Sequence, residues 1–391
     1  MKILIATGIY PPEIGGPATY AHMLGHKLAW PDTYVTVVTF STAPSSPDDS
    51  ERIHYKVVRV VRGRNKIWNR VKFLWTVYKL LRKDRHDIIY TLDWFAVGFP
   101  VALVAKWYGI PYVVRVGGDY LWEQRYLESG QKPITLADFY KREIHRQWRY
   151  RVFFWLIRWV LSGAAHVVFN SDRQRELCEK HYGLANWKTS TIYNPVPGIT
   201  VLHRDTLPER NDFVFWGRFI VMKNLDTLVR AFAKAKFPKE YTLTLIGDGP
   251  RKKEIVALVS ELGIKDRVNI IDTMPRGEAW DRVKDSRALV VPSWTDISPN
   301  IVYEALAMGL PALVTKENYL SISNKLPETI DPNSVEDVVA KLEMLADDTK
   351  YRVFTEAFRA ISFKNTWDDV LRQHEALFQQ IAGENIYRRT Q

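Results

Sequence analysis

The chain has one cysteine, Cys178, in 391 residues, which excludes an internal disulfide framework and points to a reducing compartment. Cysteine and histidine nowhere gather at metal-ligand spacing, so no metal site is expected. Long apolar runs are missing too. Between Val152 and Phe169 the only formal charge is Arg158, but Ser162-Gly163 divides that stretch into a helix end and the strand HVVF, so it is not read as a membrane span. The N-terminal MKILIATGIYPP lacks the charged-then-apolar order of a secretory signal and reads as a buried strand. The expectation is a cytoplasmic protein. No period of 20–50 residues recurs, which sets repeat architectures aside.

What is present is an ordinary globular composition, 46% hydrophobic and 25% charged, at a length that accommodates two cores. The net charge of +11 is unevenly placed. Residues 1–200 hold 28 Lys and Arg against 16 Asp and Glu, and the remainder 27 against 28. Eight of the 14 tryptophans lie between Trp68 and Trp159, inside the basic half. Such a mixture suits an anionic membrane surface, a phosphate-bearing partner or nucleic acid.

Strand and helix patterns alternate along the chain, the signature of parallel-sheet units. KILIA, YVTVVTF, DIIYTL, YVVRV and HVVFN read as buried strands of one Rossmann-like half. A polar, proline-containing linker follows from Tyr193 to Asp212, and the alternation resumes with FVFWG, LTLIG, VNII, ALVVP and ALVT. The tail has apolar residues at Val370, Leu371, Leu377, Phe378 and Ile381, a helical spacing.

Four stretches carry chemistry. In YPPEIGGPATYAHML, Gly15 and Gly16 lie between a strand and a helix, where backbone can approach a ligand and a helix N-terminus offers free N–H groups to a phosphate; a plain tight turn reads the same way. In FVFWGRFIVMKNLDTLVRAF, a strand ends at Gly217, and Arg218 and Lys223 flank the loop opening a helix near Leu225. An arginine fork and a mobile lysine there suit a departing diphosphate without a metal, or are two solvated loop charges. LTLIGDGPRKKEI places Gly247 and Asp248 in a turn at a strand's carboxyl end. Finally, SWTDISPNIVYEALAMGLPALVT puts Asp296 in a loop, starts a helix at Asn300 after Pro299, and sets Glu304 one turn in. Glu304 suits two ribose hydroxyls, Asp296 a hexose, and the N–H groups near Asn300 and Ile301 a phosphate; helix-dipole acids are the alternative.

In their order along nearly the whole chain these stretches closely resemble the retaining glycosyltransferases of family 4. The resemblance implies a GT-B fold, α/β, with two Rossmann-like domains whose parallel sheets face across a cleft. It implies a domain at 1–195 for the acceptor, one at 196–367 for the nucleotide-sugar, and a helix at 368–391 crossing back to the first. Arg218 and Lys223 match the family's diphosphate-binding pair, Glu304 its ribose-binding glutamate and Gly16 its first-domain loop. Gly247 and the loop from Asp272 to Met274 match positions beside the base. No cofactor is implied beyond a UDP-, GDP- or ADP-sugar donor.

Two positions depart from the family pattern. Asp296 stands where a glutamate is usual, one methylene shorter. After PYVVRV the family's histidine is replaced by Gly117, in VGGDYLWEQRY, which leaves Asp119 to orient or deprotonate the acceptor, or to cap a helix. Retention implies front-face attack with the leaving diphosphate accepting the proton, so Arg218 and Lys223 should matter more than any carboxylate.

RGRNKIWNRVKFLWTVYKLLRKDR carries Ile67, Val71, Leu74, Tyr78 and Leu81 at helical spacing, and FYKREIHRQWRYRVFFWLIRWVL carries Ile144, Trp148, Val152, Trp155 and Trp159. Either helix could lie on an anionic bilayer and bring the enzyme, peripheral on the inner face of the membrane, to a glycan or polyprenyl-diphosphate-linked acceptor. Alternatively each stripe packs on its own sheet. A GT-B-shaped sugar-nucleotide epimerase and a nucleic-acid-binding protein are competing readings. Residues 1–130 offer no obvious acid/base pair for the first, and no recognition motif supports the second.

Overall fold

Runs such as Ile3-Leu4-Ile5 and Val37-Val38 are apolar on both faces, and both faces are buried, as in a parallel sheet covered by helices on each side. The structure is a computed structural model that describes residues 1–13, 15–29, 32–47, 49, 54–196, 208, 210–297 and 299–390, the side chains of 385–390 excepted. Most of the linker read between Tyr193 and Asp212 lies outside the described residues.

The chain divides into two units. The first comprises Met1–Leu121, Ile144–Asn194 and Trp367–Gln391. Its elements are β1 (Lys2–Thr7), α1 (Gly16–Leu28), β2 (Tyr34–Ser41), β3 (Tyr55–Val61), α2 (Lys66–Lys83), β4 (Ile88–Thr91), α3 (Gly98–Tyr108) and β5 (Tyr112–Val116). After an excursion containing α4 (Leu136–Lys141) come α5 (Trp148–Gly163), β6 (His166–Phe169), α6 (Asp172–Tyr182) and β7 (Thr189–Thr191). The seven strands form one parallel sheet in the order β3-β2-β1-β4-β5-β6-β7.

The second unit comprises Trp122–Glu143 and Pro195–Thr366. It runs β8 (Asp212–Trp216), α7 (Leu225–Lys234), β9 (Thr242–Ile246), α8 (Lys252–Glu261), β10 (Val268–Ile271), α9 (Arg276–Val283), β11 (Ala288–Val291), α10 (Asn300–Met308), β12 (Ala312–Thr315), β13 (Thr329–Ile330), α11 (Val335–Ala346) and α12 (Asp348–Arg359). Its six-stranded parallel sheet has the order β10-β9-β8-β11-β12-β13. Alternation along β8 divides the core: Phe213 and Phe215 join Leu228, Phe232 and Leu342, whereas Val214 and Trp216 join Val291, Val302 and Met308. The last helix, α13 (Trp367–Thr390), belongs to the first unit, where Val370, Phe378 and Ile381 enter the core with Tyr20, Leu24 and Tyr90.

Residues 122–143, read from sequence as part of the first domain, group with the second unit. The segment folds on itself through the buried Trp122, whose indole N–H donates to the Ile134 carbonyl at 2.9 Å. It is tied to the sheet side by the Leu136 N–H, which donates to Thr295 Oγ1 at 2.8 Å.

The two aromatic helices sit differently from one another. In α2 the buried residues are Asn69, Phe73, Val77 and Leu81, so of the expected stripe only Leu81 is interior. Asn69 sets that rotation. Its amide oxygen accepts from the Gly63 N–H at 2.7 Å and its amide nitrogen donates to the Gly63 carbonyl at 2.9 Å, while Phe73 packs on Phe40. In α5 the interior face is Tyr150, Phe154, Ile157, Val160 and Leu161, and the expected stripe from Trp148 to Trp159 faces outward; Ile144, in the preceding turn, is buried. Helix α2 packs beside α3 and α3 beside α5. Trp107 of α3 is 79% exposed, matching Trp148 of α5 at 79%. Among the described residues no helix is long and apolar enough to cross a membrane.

Candidate functional site

In a parallel sheet, side chains with work to do collect outside the carboxyl ends of the strands, where the strand order reverses. In the second unit that point lies between β8 and β11, and the loops leaving these two strands are joined at several points. The Trp294 N–H donates to the Met222 carbonyl at 2.9 Å. The Asn224 amide donates to the carbonyls of Pro292 and Pro332, each at 3.0 Å, from a left-handed backbone with φ 53°. Lys223 Nζ donates to Asp296 Oδ2 at 2.6 Å, and the Ser293 hydroxyl donates to the same oxygen at 2.8 Å. Both partners of the ion pair are largely buried, with side chains 14% and 5% exposed.

Two expectations thus meet in one contact. Lys223, expected on a diphosphate, and Asp296, expected on a hexose, neutralise each other. Asp296 is also fixed through its backbone, donating to the Glu317 carbonyl and accepting from the Tyr319 N–H. Its Oδ1 takes no hydrogen bond among the described residues and stays available as an acceptor. Arg218 is exposed; its carbonyl accepts from the Ile220 N–H at 3.1 Å, and its guanidinium makes no hydrogen bond or ion pair among the described residues.

The glycine turns bring three strand ends into register. The Gly217 N–H donates to the Ile246 carbonyl, the Gly247 N–H to the Ile271 carbonyl, and the Phe219 N–H to the Asp248 carbonyl. Gly247 has φ 152°, and a Cβ there would stand 1.9 Å from the Gly217 carbonyl oxygen, so no other residue fits the turn. Asp248 is exposed, its carboxylate accepting from the Gly249 N–H at 2.8 Å.

Helix α10 begins at Asn300 after an N-cap, Pro299, whose side chain makes no capping hydrogen bond, and ends at Gly309, φ 69°, the stop read from Gly-Leu-Pro. Asn300 is exposed, and Ile301 is half-buried between the two apolar clusters. Glu304 is nearly buried, and its carboxylate is occupied. Oε2 accepts from the Trp216 indole at 2.9 Å and from the Trp280 indole at 3.1 Å, and Oε1 accepts from Arg276 Nη2 at 2.6 Å. The Arg276 guanidinium lies over the Trp280 ring at 4.6 Å. Met274 packs on the same cluster as Trp216 and Trp280. Arg276, Trp280, Trp216, Ser293 and Thr295 were not among the residues singled out from sequence. Only Trp216, at a strand's carboxyl end, occupied a position that could have signalled a role.

Gly15, Gly16 and Asp119 lie in the first unit, following the carboxyl ends of β1 and β5. Gly15 precedes α1, and a Cβ on it would meet Ile9 Cδ1 at 2.7 Å. Asp119 is buried. Its charge lies close enough to Cys178 that, after burial itself, it helps hold that thiol well above the usual range. Among the described residues no cluster of three His, Cys, Asp or Glu could hold a metal ion.

Two α/β units with parallel sheets, the second gathering cations and carboxylates at its switch point, define the GT-B class of architecture. Residues 14–197 match Glycosyltransferase Family 4 and residues 203–359 match Glycosyl transferases group 1; the chain is a glycosyltransferase built from family 4-type domains. It is 24% identical to a D-inositol 3-phosphate glycosyltransferase of Pseudarthrobacter chlorophenolicus, over 90% of this chain and 87% of that one. It is 23% identical to the UDP-Gal:alpha-D-GlcNAc-diphosphoundecaprenol alpha-1,3-galactosyltransferase of Escherichia coli, over 74% of each. Its fold is similar to that of sucrose-phosphate synthase from Thermosynechococcus elongatus, with a TM-score of 0.78 and 19% identity over 98% of this chain and 99% of that one.

Proposed function

We propose that the protein is a retaining, metal-independent glycosyltransferase. It moves a hexose from a UDP-, GDP- or ADP-sugar to a glycan or polyprenyl-diphosphate-linked acceptor in cell-surface polysaccharide or lipopolysaccharide synthesis. The observation that carries this reading is the meeting of Lys223 and Asp296 at the switch point of the second sheet, with Arg218 on the same loop as Lys223 and Glu304 one turn into the helix that follows Asp296. The similarity to a galactosyltransferase whose name specifies a UDP-sugar and a diphosphoundecaprenol-linked acceptor supports the donor and acceptor classes.

In the reaction, the bond between the sugar's anomeric carbon and the diphosphate oxygen breaks, and its electron pair leaves with the diphosphate. Lys223 turns from Asp296 to that growing charge and Arg218 joins it; stabilising a leaving group in this way is worth more than a side-chain base. The acceptor hydroxyl attacks the face the diphosphate is leaving and passes its proton to a diphosphate oxygen, which retains the configuration. Asp296 Oδ1 holds a hexose hydroxyl, Glu304 the ribose, and the N–H groups at the start of α10 a phosphate. The turn at Gly217, Gly247 and Asp248, with Met274, lies beside the base. In the first unit, the Gly15-Gly16 turn before α1 is the candidate for close approach to a phosphate, and Asp119 is the candidate for orienting an acceptor.

The outward tryptophans give the proposal its location. Trp148, Val152, Trp155 and Trp159 on α5, Trp107 on α3 and Trp68 and Trp75 on α2 are exposed, and cations lie over several of these rings, Lys106 on Trp159 and Arg158 on Trp155. Amphipathic rings among cations match the headgroup layer of an anionic bilayer, so the enzyme works as a peripheral protein on the inner face of the membrane, with no nucleic-acid partner.

The test is thermal stabilisation by UDP-, GDP- and ADP-sugars in the presence of EDTA. One donor class should stabilise the wild type, and Arg218→Ala and Glu304→Ala should both lose the shift. No shift with any donor, well above a millimolar dissociation constant, would count heavily against the assignment.

A further inference from the structure

Glu304 has less to offer a ribose than a free carboxylate would. A carboxylate has about four acceptor positions, and three hydrogen bonds within the chain already fall on this one: two indoles on Oε2 and a guanidinium on Oε1. The indoles come from the end of β8 and from within α9, both part of one apolar cluster, so Oε2 is filled by groups the core holds in place. One position remains, on Oε1.

Beside it stands Arg276. Its side chain is 48% exposed, yet it is anchored by stacking on Trp280 and by the bond to Oε1. Guanidinium carries five N–H donors, and the described structure uses one of them. An acceptor, Oε1, and a donor, Nη2, therefore lie 2.6 Å apart, with the arginine reaching solvent and the glutamate side chain only 9% exposed. The two oxygens of a vicinal cis-diol are also about 2.7 Å apart, the spacing of a hydrogen bond. One hydroxyl of such a diol can donate to Oε1 while its neighbour accepts from Arg276.

We infer that Arg276 is a donor-recognition residue, and that Glu304 and Arg276 together read the ribose as an acceptor and donor side by side, each taking one hydroxyl. This rests on the proposed donor site. It differs from a ribose held by the carboxylate alone, because the two hydroxyls then depend on different side chains.

The experiment measures dissociation constants of UDP, GDP and ADP by calorimetry for the wild type, Arg276→Met and Glu304→Gln, then repeats the tighter-binding diphosphate in its 2′-deoxy and 3′-deoxy forms. Methionine keeps the stem that packs on Trp280 and removes every N–H. Arg276→Met should weaken the ribonucleotide about tenfold, the worth of one hydrogen bond to a charged group. It should also become indifferent to loss of one hydroxyl while still penalising loss of the other; Glu304→Gln should show the opposite preference. If Arg276→Met binds like the wild type, or keeps both deoxy penalties, the inference falls while a loss in Glu304→Gln leaves the donor site standing. If the wild type binds none of the three diphosphates, both fall together.

Discussion

Lys223 and Asp296, 73 positions apart, meet at 2.6 Å because the strands that end just before them, β8 and β11, are neighbours in the sheet. The pair sets two opposite charges against each other in a mostly buried position.

Removing one member strands the other. Lys223→Met should destabilise the protein by about 3–5 kcal/mol, the usual cost of an uncompensated buried charge, and lower turnover on the order of 100-fold. Lys223→Met/Asp296→Asn should recover most of the stability and none of the turnover. Urea unfolding of the three variants measures the first effect and single-turnover rates the second; additive losses would mean the pair is not coupled.

Gly247→Ala tests the turn that lines up the ends of β8, β9 and β10. With φ at 152° and a carbonyl oxygen 1.9 Å from the new methyl position, the backbone must move, at a cost of about 3 kcal/mol or more. Alanine at Gly277, where nothing lies within 4 Å of the added carbon, should change the urea midpoint little and serves as the comparison.

The outward tryptophans should matter for membranes and not for folding. A Trp107→Ser/Trp148→Ser/Trp155→Ser variant should lose about tenfold or more in partitioning to vesicles rich in anionic lipid, with an unchanged melting temperature. Wild-type binding should weaken as salt rises. Vesicle sedimentation reads both; equal partitioning of wild type and variant would remove this face from the proposal.

His374 predicts an acid-sensitive first unit. Its Nδ1–H donates to the Val370 carbonyl, the Tyr90 hydroxyl donates to its Nε2, and it is fully buried. Burial, with Arg115 nearby, lowers its pKa to about 3. Above pH 6.5 the ring is neutral folded or unfolded. Below that only the unfolded chain takes the proton, so stability falls with pH until the folded ring also protonates near 3. His145 and His166, lowered to about 4 mainly by burial, act in the same direction. Between pH 6.5 and 5, His374→Gln should show a shallower fall in melting temperature than the wild type; an identical slope would mean His374 does not contribute.

Ten of the thirteen described strands were legible because each is an apolar run bounded by turn residues, whereas β3, with its alternating charges, and the short β7 and β13 were not read; the glycine turns and the start of α10 were legible because these depend on neighbours in sequence. Rotation of α2 was not legible. With aromatic residues on every side, periodicity could not choose a face, and the choice rests on Asn69 bonding to Gly63. The α5 stripe had helical spacing with both destinations, bilayer or sheet, open to it; it faces outward, since a second apolar face from Tyr150 to Leu161 fills the core. The contacts of Glu304 were hidden for another reason. Trp216, Trp280 and Arg276 reach it from 88, 24 and 28 positions away, and no local rule relates such distances. The excursion of Trp122–Glu143 carries no shift in composition that would set it apart.

Helix α13 places Val370, Phe378 and Ile381 against Tyr20, Leu24 and Tyr90, so the core begun by the first strands is finished by residues made some 280 positions after β4. On the ribosome, the second unit can be fully synthesised while the first still shows the apolar groove that α13 will fill. A nascent chain paused anywhere before Trp367 therefore presents that groove to chaperones, and a stop codon in the last helix would be felt in the unit that was translated first.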